Sequence, residues 1–382
     1  MTTVDRWLLP DGIEEVLPLE AAKVESLRRA LLDMYRGWGY QLVIPPLVEF
    51  TESLLIGLGT DIDLLTFRVM DQLSGRNMGI RADITPQVAR IDAHSLAQEG
   101  ISRLCYAGSV LHTRPASQLA SRSPIMLGAE LYGDSSLHAD IEVISLMLET
   151  LKLAGVTGIT LDLGHVGIYR QLLARSGLQA DAAEAVFDAL QRKSLPDLEV
   201  AVAAVSDSTC RQQILDLARL HGDAKVLECA DWAEAEVAEL KRVAQSVAAH
   251  YPEVALYYDL SELRGYHYHT GLVFAVYVSG HGQALANGGR YDDVGGVFGR
   301  ARPATGFNTD LKALLQVLAA PAAKATAIAA PGAADPALWQ RVAQLRAEGE
   351  VVITSLSGEI DPRCDRQLVC TDGNWEVRNM HE

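Results

Sequence analysis

The amino-acid sequence predicts an α+β fold, in which helices are segregated around a mostly antiparallel sheet. Two hairpins indicate this class: residues 64–83 turn at Ser74-Gly75, and residues 103–133 contain two strand-like segments joined by a long polar connection. The chain contains neither G-x-G-x-x-G opening a βαβ unit nor G-x-x-x-x-G-K-[ST], the two common signatures of nucleotide-binding parallel sheets. A doubly wound parallel sheet is therefore not expected.

The first third of the chain is predicted to contain two helices separated by an extended segment. Apolar residues recur at helical spacing over residues 27–35, and two glycines follow them. The extended segment, residues 41–50, contains consecutive prolines that would confine it to a sheet edge or an interface. In the second helix, residues 84–98, we expect Thr85 as the N-cap and Pro86 as the first helical residue.

The remaining segments predict more helices and strands, and a second domain. Residues 135–155 have the pattern of an amphipathic helix, and residues 178–250, rich in Ala, Leu and Glu, predict a helical insertion. Further elements are strands at residues 254–260, 269–278 and 282–288 and a helix at about 308–318. Because residues 318–335 are rich in Ala and Pro, we expect a boundary there. It would separate a core, residues 1–318, from a small C-terminal α/β unit, residues 319–382.

Charge and composition exclude several classes of protein. The net charge is −16, and Lys and Arg form no run, which argues against a nucleic-acid partner. No apolar run approaches the ~20 residues needed to cross a bilayer, so no membrane partner is expected. The first residues lack the pattern of a signal peptide, which predicts a cytoplasmic protein. Five scattered cysteines without a C-x-x-C pair favour neither a disulfide scaffold nor a zinc site.

The segment IRADITPQVAR, residues 80–90, is the first candidate site. Asp83 lies beside the expected helix N-terminus, where a carboxylate can bind the ammonium group of an amino acid, and Thr85 adds a hydroxyl. The alternative is an N-cap next to a surface acid. The segment taken alone favours that alternative.

Glu130 is the second candidate, because it is a lone acid within an apolar strand-like segment. A carboxylate on a core-facing strand needs a partner, and an imidazole or guanidinium ligand would provide one. If that face of the strand is solvated instead, Glu130 has no special role.

The third candidate is the segment LRGYHYHTGLVFAVYV, residues 263–278. Interpreted as a strand, it places Tyr266 and Tyr268 on one face and the two histidines on the other. A polar pocket with Arg264, Tyr268 and His269 is the favoured interpretation. A zinc site lacks a third ligand nearby, and a partly exposed aromatic strand end is the remaining alternative.

Taken in order, four segments resemble motifs of the class II histidyl-tRNA synthetases, from about residue 9 to Leu318. GYQLVIPPLVE resembles motif 1, RLCYAGSVLHTRP with LGAELYG resembles motif 2, GGRYDDV with PATGF resembles the entry to motif 3, and LRGYHYHTGLVF resembles the histidine-specific signature. Four ordered matches form a specific signal, although each alone is weak. The resemblance implies a class II synthetase-like antiparallel sheet flanked by helices, and a dimer formed through motif 1.

The resemblance also implies a histidine-binding pocket. Its six positions in this chain are Asp83, Thr85, Glu130, Arg264, Tyr268 and His269. Asp83 stands where the family has Glu, and His269 replaces the second tyrosine of a pair. Met126 replaces a glutamine that faces the amino acid, so the affinity and the pose of the ligand are expected to differ.

The resemblance implies that the ATP-binding positions are lost. His112 stands where motif 2 has the arginine for the α-phosphate, Ala313 stands where motif 3 has an arginine, and Asp310 replaces a glycine. Each charge-assisted contact to phosphate contributes about 1.5–3 kcal/mol, so two losses would weaken binding by roughly a hundred- to ten-thousand-fold. Adenylation depends on such cations, and we expect it to be absent.

A synthetase-like core with an amino-acid pocket, without ATP arginines and with a short C-terminal tail, resembles the regulatory subunits of ATP phosphoribosyltransferase. The resemblance implies a non-catalytic subunit without cofactor or metal, which binds histidine as an effector. It also implies assembly with a short-form catalytic subunit into a hetero-octamer in the first step of histidine biosynthesis. The alternatives are a divergent histidyl-tRNA synthetase and an interaction module that does not bind histidine.

Overall fold

A computed structural model of the chain describes residues 7–55, 60–115, 120–317, 326–356 and 358–380. The chain divides into a larger unit, Met1–Ala319, and a smaller one, Ala320–Glu382. No helix among the described residues combines the length and the apolar character needed to span a membrane.

The larger unit is built on a broad sheet. Its described strands are β1 (Gln41–Leu42), β2 (Val48–Phe50), β3 (Phe67–Met70), β4 (Asn77–Ile80), β5 (Ser102–Ser109), β6 (Ile125–Tyr132), β7 (Ile159–His165), β8 (His221–Gly222), β9 (Ala255–Asp259), β10 (Leu272–Val278), β11 (Ala286–Arg290) and β12 (Ala304–Asp310). Nine of these described strands form one sheet in the order β1-β5-β6-β12-β11-β10-β7-β9-β8, and β2, β4 and β3 form a small second sheet. In the large sheet β1 pairs with β5 and β7 pairs with β9 in parallel, and its other pairs are antiparallel. The predicted α+β class is confirmed.

Helices surround this sheet. They are α1 (Pro18–Gly37), α2 (Thr51–Leu54), α3 (Thr60–Leu65), α4 (Thr85–Arg90), α5 (Leu137–Leu153), α6 (Val166–Ser176), α7 (Ala180–Gln191), α8 (Leu195–Ala201), α9 (Ser208–Leu217), α10 (Glu234–His250) and α11 (Leu311–Gln316). A π-helical segment, Ile91–Leu96, continues α4. Helices α7 to α10 lie within the residues for which a helical insertion is predicted.

The two faces of the large sheet differ, because residues alternate in direction along each strand. On β6, Leu127, Ala129 and Leu131 point into the main apolar core, where Phe307 of β12 is also buried. Buried residues of α1, α5 and α10 belong to the same core. The opposite face therefore carries the other set of residues on these strands, including Glu130.

The two predicted hairpins are present, as β3–β4 and β5–β6. The predicted helix at about 308–318 begins too early, because Ala304–Asp310 forms β12 between β6 and β11. The helix starts only at Leu311, and the Asp310 side chain caps it by accepting a hydrogen bond from the Lys312 amide. Because β12 pairs with both β6 and β11, it continues as a strand up to Asp310, the N-cap of α11.

The smaller unit has a sheet and a helix of its own. Its described elements are β13 (Ala327–Ala330), α12 (Pro336–Ala347), β14 (Val352–Thr354), β15 (Cys364–Thr371) and β16 (Asn374–Asn379). The strand order is β14-β13-β15-β16, with β13 parallel to both of its neighbours. The predicted boundary segment, residues 318–335, lies partly outside the described residues, and its later part contains β13.

Candidate functional site

One face of the large sheet carries small residues between Glu130 and the turn that follows β9. Glu130 on β6 lies opposite Gly306 on β12, which lies opposite Gly289 on β11. Two residues along β6 and β12, Gly128 lies opposite Asn308. Directly opposite residues, and residues two apart, project from the same face of an antiparallel sheet. These glycines form the floor of the candidate site, which we call the glycine-floored pocket.

The floor must be glycine because side chains approach it closely from above. A Cβ atom on Gly306 would overlap the Glu130 carboxylate. A Cβ atom on Gly289 would lie 2.9 Å from Nε2 of His269. The glycines therefore allow Glu130 and His269 to lie directly against the sheet.

Glu130 is buried, with 1% of its surface exposed, and three hydroxyl groups surround it. Thr85 Oγ1 donates to Oε1 at 2.8 Å, and the Tyr106 hydroxyl donates to the same oxygen at 3.3 Å. The Tyr291 hydroxyl donates to Oε2. Burial raises the pKa of Glu130 to about 8, although the hydroxyl hydrogen bonds from Tyr291, Thr85 and Tyr106 oppose that rise.

Asp83, and not Thr85 as predicted, bonds to the backbone amides at the start of α4. Thr85 is the first residue of α4 and not its N-cap, which is Ile84. The Asp83 carboxylate accepts hydrogen bonds from the amides of Ile84 (2.6 Å) and Thr85 (3.2 Å) at this helix end. Burial raises the pKa of Asp83, and these amide hydrogen bonds oppose the rise. Thr85 is thereby free to direct its hydroxyl at Glu130.

The segment from Arg264 to His269 was predicted as the start of a strand, and this prediction is wrong. The segment consists of turns, and β10 begins only at Leu272. Gly265 has a φ of 64°, and its carbonyl accepts hydrogen bonds from the amides of Tyr268 (2.9 Å) and His269 (2.8 Å). The rings of Tyr268 and His269 therefore lie together, with centroids 4.4 Å apart, and not on opposite faces.

His269 presents a hydrogen-bond acceptor to the pocket. Its Nδ1 lies 3.0 Å from the Arg264 carbonyl oxygen, which can only accept, so Nδ1 carries the proton. Burial lowers the pKa of His269 to about 4, so the ring is neutral at pH 7. Nε2 is then unprotonated, and it is the nitrogen that lies near Gly289 on the floor.

Arg264 is engaged with a neighbouring acid. Its guanidinium lies 2.5 Å from the Glu262 carboxylate, and its amide donates to the same side chain at 2.7 Å. The guanidinium carbon also lies 5.7 Å from the centre of the Tyr277 ring. Arg264 is partly exposed, and a ligand carboxylate would have to compete with Glu262 for it.

The far side of this turn packs against residues next to and within the predicted insertion. Tyr266 and His267 both contact Phe187 of α7, with ring centroids 5.3 and 5.2 Å apart. Arg170 of α6 donates to the carbonyl oxygens of His269 (2.6 Å) and Tyr266 (3.2 Å). Arg170 thus holds the backbone on which His269 and Tyr268 depend.

The structure brings most of the predicted pocket residues together. Tyr268 and Met126 pack against the buried cluster that contains Ile84, Tyr106 and Tyr291. Asp83, Thr85 and Glu130 therefore lie on one side of the glycine floor, and Tyr268 and His269 lie on the other. Arg264 lines a small cavity beside them and is held by Glu262.

Tyr106 and Tyr291 were missed by sequence reasoning. Tyr106 lies in an apolar segment, where a buried tyrosine is expected as part of the core, and Tyr291 lies in the polar segment GGRYDDV. The only available signal was indirect: a buried Glu130 requires donors, and neutral hydroxyl groups are suitable ones.

The three positions interpreted as lost ATP contacts line one cavity of about 750 Å³, together with Met126. His112 uses Nε2 to donate to the Ala82 carbonyl oxygen at 2.9 Å. Asp310 caps α11 and also accepts from the Ile125 amide at 3.0 Å. Ala313 supplies no polar group.

Lys312 is the cation in this cavity, and it is already paired. Its ammonium group lies 2.8 Å from Glu14 and 3.1 Å from the Ser121 hydroxyl, and only 4% of the residue is exposed. The cavity therefore combines ample volume with one neutralised cation and a carboxylate.

Comparisons with known proteins find relatives that match both units of the chain. The profile of the histidyl-tRNA synthetase family matches residues 12–314, and the profile described as "ATP phosphoribosyltransferase subunit HisZ C-terminal domain" matches residues 324–378. The ATP phosphoribosyltransferase regulatory subunit of Stutzerimonas stutzeri is 56% identical over 391 residues, which cover 99% of each chain.

Two solved structures are similar in fold. One is an ATP phosphoribosyltransferase regulatory subunit/histidyl-tRNA synthetase from Bacillus halodurans, with a TM-score of 0.81, 26% identity and coverage of 94% of this chain and 96% of that one. The other is the ATP phosphoribosyl transferase (HisG:HisZ) complex from Thermotoga maritima, with a TM-score of 0.60, 19% identity and coverage of 75% and 96%. At 19% identity the second similarity shows the fold alone.

The fold and the matched profile define a protein of the class II histidyl-tRNA synthetase type. Within that class, the chain belongs to the family of ATP phosphoribosyltransferase regulatory subunits. It is a non-catalytic subunit of an enzyme of histidine biosynthesis.

Proposed function

We propose that this regulatory subunit binds histidine in the glycine-floored pocket and thereby inhibits a short-form catalytic subunit with which it assembles. One observation carries the proposal: the buried carboxyl group of Glu130, held by three hydroxyl groups, faces the same floor as the neutral acceptor nitrogen of His269. A carboxyl and a lone-pair nitrogen on two sides of a flat floor complement a ring that has two nitrogens.

The state of Glu130 suits an imidazole. Its pKa of about 8 lies above the ~6.5 of free imidazole, so the carboxyl keeps its proton at neutral pH. A hydrogen bond between Glu130 and a ring nitrogen then forms whether the proton stays on the carboxyl or moves to the ring. The second ring nitrogen donates its N–H to Nε2 of His269.

The other two groups of the amino acid would meet Asp83, Thr85 and Arg264. The Asp83 carboxylate, which accepts a hydrogen bond from the Thr85 amide at 3.2 Å, attracts the ammonium group. Arg264 attracts the carboxylate, provided that it exchanges Glu262 for the ligand. Met126 gives no hydrogen bond at its position, which limits the affinity.

The catalytic partner is proposed from the relatives. The Thermotoga maritima structure is a complex of HisG with HisZ. For the present chain we propose the hetero-octamer with a short-form catalytic subunit that the sequence resemblance implies. Leu42, Ile44 and Leu47 are exposed around the consecutive prolines next to edge strand β1, which supports a dimer through this segment. The matched profile bounds support a core of residues 1–318 followed by a remnant of residues 319–382.

Inhibition follows from linkage. Histidine lowers the activity only if it binds more tightly to the inhibited arrangement of the complex, and substrates of the catalytic subunit must then weaken histidine binding by the same factor. The Arg264–His269 turn lies between the pocket and Phe187 of α7. A ligand that shifts this turn would therefore also shift its contacts with α7.

The test uses the complex reconstituted from this chain and the short-form catalytic subunit. We expect the chain to activate the catalytic subunit and histidine to inhibit the complex. Glu130→Gln keeps the shape of the side chain, so it should preserve assembly and activation but raise the inhibitory histidine concentration at least tenfold. Glu142→Gln, which removes a carboxylate bonded to Arg103 outside the pocket, serves as the control. Unchanged inhibition of the Glu130→Gln complex would contradict the proposal.

The absence of adenylation is tested separately. The cavity lined by His112, Asp310 and Ala313 has no free cation for a triphosphate among its described residues. Histidine-dependent ATP–pyrophosphate exchange by the purified chain should therefore be undetectable. Clear turnover would favour a divergent synthetase instead.

A further inference from the structure

A second buried acid on the same sheet face has an oxygen atom without a hydrogen-bond partner. Asp162 on β7 lies opposite Ala275, which lies opposite Asn287 of β11, so all three residues share the face of the glycine floor. Only 8% of Asp162 is exposed, and its Oδ1 atom is buried without a hydrogen-bond partner. Buried carboxylates are ordinarily paired, so this oxygen indicates a missing group.

Two further carboxylates lie next to it. One oxygen from each of Asp162, Asp259 and Glu262 falls within 4.8 Å of the others. Lys193 binds Asp259 at 2.6 Å, and Arg264 binds Glu262 at 2.5 Å. Three carboxylates thus face two cations, which leaves one negative charge at Asp162.

The space beside Asp162 is small. A cavity of about 30 Å³ is lined by Asp162, Glu262 and Asn287, and also by Arg264, Tyr268 and His269 of the proposed histidine pocket. It accommodates a species about the size of water but not an amino acid.

The distance to Glu130 places the Asp162 carboxylate beyond the reach of a histidine bonded to Glu130. Three strands lie between β6 and β7, so the two acids are roughly 19 Å apart across the sheet at about 4.8 Å per strand. One histidine molecule cannot reach both carboxylates. The group missing at Asp162 is therefore not the imidazole bonded to Glu130, although it lies next to Arg264, Tyr268 and His269.

We infer that Asp162, Asp259 and Glu262 bind one compact monovalent cation, such as potassium, sodium or ammonium, beside Arg264. The charge balance selects a single positive charge, because a divalent ion would leave the cluster with an excess of positive charge next to Lys193 and Arg264. Carboxylate oxygens replace part of the hydration shell of such an ion. The inference does not depend on histidine binding.

A proton is the competitor of this cation. Burial, together with the charges of Asp259 and Glu262, raises the pKa of Asp162 to about 7. At a pH of about 8 the carboxylate is mostly ionised, and the cation site is available. Because a proton and the cation compete for Asp162, the test is made at about pH 8.

The test measures thermal unfolding of the full chain at about pH 8 in potassium, sodium, ammonium and tetramethylammonium chlorides at equal ionic strength. The Tm should rise with the concentration of each of the three small cations, and tetramethylammonium, which is too large for the cavity, should have no such effect. Asp162→Asn should abolish the difference between the small cations and tetramethylammonium. The control is Asp365→Asn, at an aspartate with a similarly unpartnered oxygen that lies 3.7 Å from Arg366, and it should retain the difference.

Two results would overturn the inference: equal Tm values for the unaltered chain in potassium and tetramethylammonium chloride, or a full cation effect in Asp162→Asn. If that variant fails to fold, sodium NMR on the unaltered chain decides. The sodium line should broaden with protein and narrow again on addition of potassium chloride. A linewidth that does not respond to potassium contradicts the site.

Discussion

Glu130 and Asp162 are both buried acids on one face of the same sheet, yet their surroundings differ. Glu130 accepts hydrogen bonds from three hydroxyl groups, whereas Oδ1 of Asp162 accepts none. Burial raises the pKa of each acid, to about 8 and about 7 respectively. The comparison shows that two buried acids on one sheet face can differ in their partners: the three hydroxyl donors at Glu130 fit the proposed histidine, and the oxygen of Asp162 without a donor fits the proposed cation.

The largest loss of histidine affinity is expected when a side chain is added at Gly306, next to Glu130. In Gly306→Ala the new methyl group would overlap the Glu130 carboxylate, so histidine binding should become undetectable by calorimetry. Overpacking of this kind typically destabilises a protein by about 1–3 kcal/mol, which denaturant unfolding would measure.

Gly37→Ala is the matched control, because a Cβ atom there meets no atom within 4 Å. It should bind histidine as the unaltered chain does. Normal histidine binding by Gly306→Ala would show that the ligand lies elsewhere.

Glu130→Gln should weaken histidine binding by roughly ten- to a hundredfold, because the amide nitrogen of Gln can neither transfer a proton to the ring nor accept the hydrogen bond that Tyr291 donates to Oε2. Asp162→Asn should leave the histidine affinity within about twofold, since three strands and roughly 19 Å separate the two acids. Titration calorimetry of both variants under one condition checks the contrast. Equal losses of histidine affinity in the two variants would contradict the assignment of histidine to Glu130 and not to Asp162.

The pH dependence of stability should have the same sign for both acids. The folded-state pKa of Glu130, about 8, lies above its ordinary value of 4.5, so the folded chain holds a proton that the unfolded chain releases. This contribution is fully present below about pH 4.5 and is lost as the pH rises through about 8, by up to roughly 1.4 kcal/mol per pH unit.

Denaturant unfolding as a function of pH measures this slope, and Glu130→Gln should flatten it. For Asp162 the corresponding window runs from about pH 3.8 to about 7. A steeper loss of stability in the Glu130→Gln variant would contradict the assignment.

Among the variants that should weaken histidine binding, the smallest loss of affinity is expected at Arg170. This residue acts only through the backbone of the Arg264–His269 turn. Arg170→Met removes the hydrogen bonds to the carbonyl oxygens of His269 and Tyr266, so histidine affinity should fall by about three- to tenfold. The conservative variant Arg170→Lys should recover part of the affinity, because one ammonium group can still reach a carbonyl oxygen. A merely structural role would lower the Tm of Arg170→Met without changing the affinity.

The sequence predicted the antiparallel sheet because its hairpins are local, and it singled out Glu130 because a lone acid in an apolar strand is conspicuous. It did not identify Tyr106 and Tyr291 as partners of Glu130, since strand register over more than a hundred residues brings Tyr291 there. His269 was assigned to the wrong face because Gly265, with its positive φ, turns the chain before the strand begins. The sequence did not indicate Asp162 as a candidate site, because its two acidic neighbours lie about a hundred residues later in the chain.

A crystal structure of the chain saturated with histidine tests the central claim most directly. The account predicts the imidazole ring over Gly289 and Gly306, with one ring nitrogen hydrogen-bonded to Glu130 and the other to Nε2 of His269. Histidine bound away from Glu130, or a glycine-floored pocket that stays empty at saturating histidine, would contradict it.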